Sequence, residues 1–146
     1  MEKIFYKKTR PNAVVPKRAS PGSAGYDLCA CLESELGISP GATALVPTGI
    51  SIELPSQHCV AYIFARSSLG TKKGIIPANC VGVIDSDYRG EIYVSLYNRS
   101  GQNFAVRHGD RIAQMVLSPV FTPELEAAEA LGDTERGSGG FGSTGI

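Results

Sequence analysis

The chain has no tryptophan, only two histidines and no net charge, with 14 basic residues against 14 acidic ones. Each shortage removes a class of function. His58 and His108 fit no ligand spacing, and Cys29, Cys31, Cys59 and Cys80 form no paired CxxC, so a zinc site has no evident framework. The four cysteines lie in apolar or alternating segments and read as reduced, mostly buried thiols of an intracellular protein. A balanced charge argues against nucleic acid or a membrane surface as partner. The basic start (Lys3, Lys7, Lys8, Arg10, Lys17, Arg18) reads as a solvated edge. No apolar run approaches the roughly 18 residues of a membrane span. Lys3, Lys7 and Lys8 interrupt any secretory h-region, so the expected location is intracellular, cytoplasmic or nuclear. Neither histidine adjoins a nucleophile elbow, which excludes a Ser–His–Asp hydrolase.

What the chain does have is punctuation. Glycine (17) and proline (9) recur every few residues and break a 42% hydrophobic sequence into short segments. The length, 146 residues, suits one domain. Alternation predicts strands. In CVAYIFAR, Val60, Tyr62 and Phe64 face one way and Ala61, Ile63 and Ala65 the other. In GEIYVSLYN, Ile92, Val94 and Leu96 alternate with Tyr93, Ser95 and Tyr97. ATALVPTGISIEL and DRIAQMVLSPVF read as further strands, and Cys29 and Cys31 as sharing one strand face. One short helix is predicted over Pro123–Leu131, with proline at its start and acids in its first turn. The class is all-β, a sandwich or barrel spanning residues 1–131, followed by a glycine-rich arm, 132–146.

Four stretches are polar where apolar strands are expected. Asp27 in SAGYDLCA is either paired or on a solvated face. ARSSLGTKKG reads either as an ordinary turn or as a phosphate grip, in which Arg66, Ser67, Ser68 and freed backbone N–H groups meet anionic oxygens. In NCVGVIDSDYRGE, Asp85 and Asp87 lie two apart, and SDYRG reads as a hairpin turn. Asp87 reads as a cap of that turn, and Asp85, which ends the run VGVI, as a candidate general base. In HGDRIAQMVLSP, Gly109-Asp110 reads as a turn. Arg111 reads as paired with a carboxylate, and Gln114 as a buried amide that must find a partner. The chain then ends RGSGGFGSTGI. Its GxGxxG has no helix to open, and Ser143 stands where a Walker lysine would be. The end is either a loose terminus or an arm that orders when a ligand arrives.

Taken in order, AGYDL, RSSLG, GVIDSDYRG, GDRIAQM and RGSGGFGSTG resemble the five motifs of the homotrimeric dUTP pyrophosphatases (dUTPases), from Ala24 to Gly145. The second motif departs from the usual pattern at Ala65 (for proline), Ser68 (for glycine) and Lys73 (for histidine). The resemblance implies a distorted jelly-roll β-barrel and hydrolysis of dUTP to dUMP and pyrophosphate with Mg²⁺. It also implies a homotrimer whose active sites are shared between subunits. By the same resemblance, Asp85 positions the attacking water, and Asp27 holds the metal through a water. Arg66, Ser67, Ser68 and Gln114 grip phosphates. Asn79, with backbone near Gly82, Val83, Ile84 and Tyr93, reads the uracil edge, and Tyr88 packs on the deoxyribose. Arg136 reaches the γ-phosphate, Phe141 stacks on the base, and Gly142, Ser143 and Thr144 close over the phosphates. Three alternatives compete with this: a trimer that binds dUTP as a signal, a related nucleotide deaminase, and a plain structural β-sandwich.

Overall fold

The structure is a computed structural model, described here for residues 3–140. Its strands are short, and they are antiparallel in every pairing. In chain order they are β1 (Phe5–Lys8), β2 (Lys17–Arg18), β3 (Gly25–Cys29), β4 (Leu36–Ile38), β5 (Thr43–Pro47) and β6 (Ile50–Glu53). There follow β7 (Cys59–Phe64), β8 (Ile75–Pro77), β9 (Gly82–Ile84), β10 (Tyr93–Asn98), β11 (Phe104–Val106) and β12 (Arg111–Pro119). A five-stranded sheet runs β2-β3-β12-β7-β9, a three-stranded one β5-β10-β8, and β1-β6 and β11-β4 make two-stranded ribbons. Together they wrap one core, the all-β jelly-roll class that the sequence predicts.

That core is built from the alternating positions. On β10, Val94 and Leu96 are buried, as is Ile92 just before the strand, while Tyr93 is exposed. On β7, Ala61 and Ile63 face the core, and Tyr62 and Phe64 lie half-buried on the other face with ring centroids 6.0 Å apart. Leu28, Ile38, Val46, Ile50, Ile75, Val106, Ile112 and Met115 complete one continuous cluster. Asn98 is the bulkiest of three buried polar residues, with Thr48 and Ser51, and is fully buried. Its amide donates to the carbonyls of Ile38 and Gln102, and its Oδ1 accepts from the Ser100 N–H and hydroxyl.

Four local expectations change. Residues 123–131 form no helix; they run as exposed chain, with Phe121, Leu125 and Leu131 almost wholly in solvent. A nine-residue helix with no surface to pack on is marginal, since isolated helices need about 12–15 residues. The one short helix is instead a π-helical turn, Leu69–Lys73, ended by Gly74 at φ 69°. The SDYRG turn joins no simple hairpin, because β9 pairs with β7 and β10 with β5 and β8. Residues 78–92 are the long loop of the β8–β10 pair, and β9 leaves it to extend the five-stranded sheet. Cys31 lies beyond β3 rather than on it, buried, with its N–H donating to the Pro47 carbonyl. Of the four thiols, Cys29 and Cys31 are buried, Cys59 is half-buried, and Cys80 is exposed at φ 63°. Among the described residues no helix is long and apolar enough to cross a membrane.

Asn98→Ala removes two donors and an acceptor from a dry site and leaves the Ile38 carbonyl without its partner. A loss of about 3 kcal/mol is expected, read as a lowered urea midpoint.

Candidate functional site

The polar residues of the first, second and fourth clusters meet on the five-stranded sheet. β12 is its middle strand. Gln114 pairs with Asp27 of β3 on one side and with Phe64 of β7 on the other, and Arg66 lies two residues past the end of β7. Asp27 is therefore paired, as one of the two sequence readings has it. Its Oδ1 accepts from Arg66 Nε at 2.8 Å and its Oδ2 from Arg111 Nη1 at 3.3 Å. Lys17 of β2 is its neighbour across the sheet edge. The carboxylate is only 19% exposed, so two guanidinium groups replace much of its water.

A register irregularity makes this possible. Arg111 lies opposite Cys29, but Ala113 lies opposite Leu28, so β12 spends one extra residue there. Arg111 and Gln114 are three apart and in a regular strand would face opposite ways. The bulge turns Arg111 onto the face of Asp27, Cys29 and Gln114. The bulge's turn is prepared by Asp110, whose carboxylate accepts the Arg107 N–H at 2.8 Å, and by Gly109 at φ 83°. Gln114 satisfies its amide on the Ala65 carbonyl at 3.0 Å. Its side chain crosses Gly25, where a Cβ would lie 2.7 Å from its Oε1, so the glycine of AGYDL is there to admit it. Sequence reasoning missed Gly25; the signal was a glycine inside a strand, which marks a close approach.

Arg66 carries its carbonyl into the helical turn, bonded by the Gly70 N–H at 2.9 Å. Ser67 and Ser68 follow, both exposed. Arg66, Ser68, Lys72, Lys73, Asp110 and Arg111 line a cleft of about 400 Å³. A larger cavity, about 730 Å³, is bordered by β1, Tyr26, Met115 and Leu117, and none of the candidate residues lines it. Burial pushes the Cys29 thiol upward, helped by the Asp27 charge, so it stays a protonated wall of the site.

The third cluster forms a separate group. Asn79 and Val83 are exposed, and Gly82 packs on Ile63, with the Asn79 amide nitrogen 3.7 Å from where a Gly82 Cβ would be. Asp85 follows Ile84 at the end of β9. It is exposed, its carbonyl accepts the Tyr88 N–H at 3.2 Å, and its carboxylate has no partner among the described residues. Asp87 makes no side-chain cap of this turn; Arg89 does that work by donating to the Ser86 and Tyr88 carbonyls. The Tyr88 hydroxyl donates to the Glu91 carbonyl at 2.9 Å and its ring covers Gly90, where a Cβ would penetrate it. Tyr93 is exposed, and its hydroxyl accepts from Arg10. Bonds to Tyr93 and to Glu91 hold the Arg10 guanidinium above its ordinary pKa. Arg10, expected on a solvated edge, is instead bonded to Glu91 and Tyr93, and sequence reasoning missed Glu91.

Within one chain the two groups do not meet. Gly82 pairs with Ile63 and Ile84 with Ala61, so β9 runs away from Arg66. Asp85 is level with Val60, four residues from Phe64, about 13 Å along the sheet. Arg136 is exposed in a local turn, its Nε donating to the Gly139 carbonyl at 2.9 Å. Phe141, Gly142, Ser143 and Thr144 lie outside the described residues.

Gly25→Ala should push Gln114 aside and break its bond to Ala65. The expected cost is about 1–2 kcal/mol in a urea titration, and an unchanged midpoint would mean that the amide re-seats freely.

Comparison with known proteins gives the family. The dUTPase family model matches residues 11–145. The deoxyuridine 5'-triphosphate nucleotidohydrolase of Desulfitobacterium hafniense is 52% identical over 144 residues, covering 99% of this chain and 95% of that protein. The Neisseria meningitidis protein of the same name is 50% identical over 133 residues, covering 91% and 89%. Among solved structures, the Staphylococcus bacteriophage 80alpha dUTPase with dUPNHPP superposes with a TM-score of 0.90 at 25% identity, over 100% of both chains. The dUTPase of phage phi11 of S. aureus, described with a structural Mg(II) ion, superposes at 0.81 with 21% identity, over 90% and 99%. The chain belongs to the dUTPase family.

Proposed function

We propose that this chain hydrolyses dUTP to dUMP and pyrophosphate in a site completed between three copies of itself. The observation that carries the reading is the separation of Asp85 from the Asp27–Arg66–Gln114 cluster in a chain of this family. The two groups have complementary chemistry. One is cationic and suits a triphosphate. The other offers a partner-free carboxylate beside a neutral, backbone-lined loop. A water held by Asp85 attacks the α-phosphorus; its proton passes to the carboxylate as the O–P bond forms and pyrophosphate leaves. General-base assistance supplies about 10²–10⁴-fold, and alignment and charge stabilisation supply the rest.

Asp27 takes only the Nε of Arg66, so both terminal nitrogens are free to meet phosphate oxygens. Ser67, Ser68 and Gln114 add hydroxyl and amide donors. Among the described residues no three His, Cys, Asp or Glu side chains cluster as a metal cage. That fits a magnesium ion held mainly by phosphate oxygens and waters, with Asp27 reaching one of the waters. When bound, the ion neutralises triphosphate charge. Asn79 and the backbone near Gly82, Val83, Ile84 and Tyr93 read uracil, and a cytosine amino group leaves buried groups unpaired there. The arm, residues 132–146, closes over the nucleotide with Arg136, Phe141, Gly142, Ser143 and Thr144. The exposed Phe121, Leu125 and Leu131 support assembly, since such side chains gain from being covered.

The expected result is pyrophosphate release far faster from dUTP than from dCTP, dTTP or UTP, abolished by chelating magnesium and reduced at least about 10²-fold in Asp85→Asn. Binding of dUTP without release would instead support a sensing role. Sharing between copies has its own test. Asp85→Asn and Arg66→Gln chains, each inactive alone, should regain about a quarter of wild-type activity when unfolded and refolded together, the share of sites drawing both intact residues. No regain in mixed trimers would place both residues in one chain's site.

A further inference from the structure

Tyr88 stands on an exposed loop, yet its ring has one defined place. Upstream, the turn Asp85–Tyr88 has a single backbone bond. Downstream, everything is pinned. The Glu91 carbonyl takes the Tyr88 hydroxyl, and the same peptide's N–H, that of Ile92, donates to the Ile50 carbonyl at 2.8 Å. The Ile92 carbonyl accepts from both the Thr48 N–H and its hydroxyl. The Glu91 carboxylate, 12% exposed, turns the other way and accepts from Arg10 Nε at 2.9 Å and from the Gly49 N–H at 2.8 Å. Gly49, at φ 70°, is closed over by Ala13 and by Arg10 itself, and the Thr9 N–H donates to its carbonyl. Arg10 also donates to the Tyr93 hydroxyl at 3.2 Å. A residue from the start of the chain thus holds the downstream part of the stretch that carries Tyr88, at Glu91 and at Tyr93.

We propose that Arg10 and Glu91 are positioning residues for sugar discrimination: they hold the Tyr88 ring where it fits a deoxyribose and meets a ribose 2′-hydroxyl. This rests on the dUTPase reading above, in which Tyr88 packs on the sugar. The ring discriminates only if it cannot yield. A loose ring would step back from the extra hydroxyl at little cost, because its outer face is solvent (43% exposed). The Glu91 carbonyl is the stop, and Arg10 and Gly49 set the backbone that carries it.

The test is the ratio of kcat/KM for dUTP to that for UTP, in Arg10→Gln, Glu91→Gln, Arg10→Lys and Tyr88→Phe. The first two should lower the ratio about threefold to tenfold, mainly by improving UTP, the worth of one hydrogen bond. Arg10→Lys, which keeps the charge, should recover part of it. Tyr88→Phe should lower it similarly, and Arg10→Gln added to Tyr88→Phe should lower it no further. Arg10→Gln that folds, with an unchanged urea midpoint and an unchanged ratio, would overturn the proposal. So would additive losses in the double variant. A wild type that releases pyrophosphate equally from both nucleotides would overturn the sugar reading of Tyr88 itself and, with it, this inference.

Discussion

The pairing of β12 on both edges is the constraint on which the rest of the molecule depends. Nine residues long, it is the middle of the five-stranded sheet and holds β3 and β7 in fixed register. Ile112, Ala113 and Met115 drive it into the core, so its register has little freedom to slip. The Asp27–Gln114–Phe64 row is a consequence. So is the bulge. A strand with strict period two cannot send both Arg111 and Gln114 to one face, and the extra residue resolves that without moving the buried positions beyond it.

The charge arrangement follows. A carboxylate four-fifths removed from water is costly unless compensated, and two guanidinium groups compensate it twice over. With Lys72 and Lys73 on the same cleft, the local balance is strongly positive in a chain that is neutral overall. Arg66, Arg111, Lys72 and Lys73 outnumber Asp27 and Asp110 there, so this end of the sheet carries a positive excess. Asp27 also holds Arg66 in one place through its Nε, which preorganises the guanidinium for the role proposed for it.

Much of this was legible in the sequence, for identifiable reasons. Alternation revealed β10 and β7 because one face of each is buried and the other is not. Arg111 was read as paired with a carboxylate, which it is. Propensity misplaced the helix at residues 123–131, where good helix formers have nothing to pack against, and overlooked Leu69–Lys73, where a π-turn is set by Gly74 and by the preceding strand's exit. The bulge was invisible, since no residue type announces it. Gly25 and Glu91 are harder for another reason: a glycine inside a strand signals a close approach without saying to what, and nothing marks Glu91. What makes them matter is a partner 89 residues away (114 − 25) in one case and 81 in the other, and local pattern carries no such information.

The separation of Asp85 from Arg66 is the last consequence of the topology. β9 is antiparallel to β7, so the segment that begins with Asp85 leaves the sheet at the end opposite Arg66. Lengthening the loop would not bring the groups together, because β9 is fixed by its register with Ala61, Tyr62 and Ile63. In the proposed assembly a second copy supplies its own Asp85 to the first copy's cationic cluster, with both sheets intact. A small β-barrel that places Asp85 and the Arg66 cluster at opposite ends of one strand gives the proposed assembly a physical reason, and a closed ring of copies would give every site the same complement of residues.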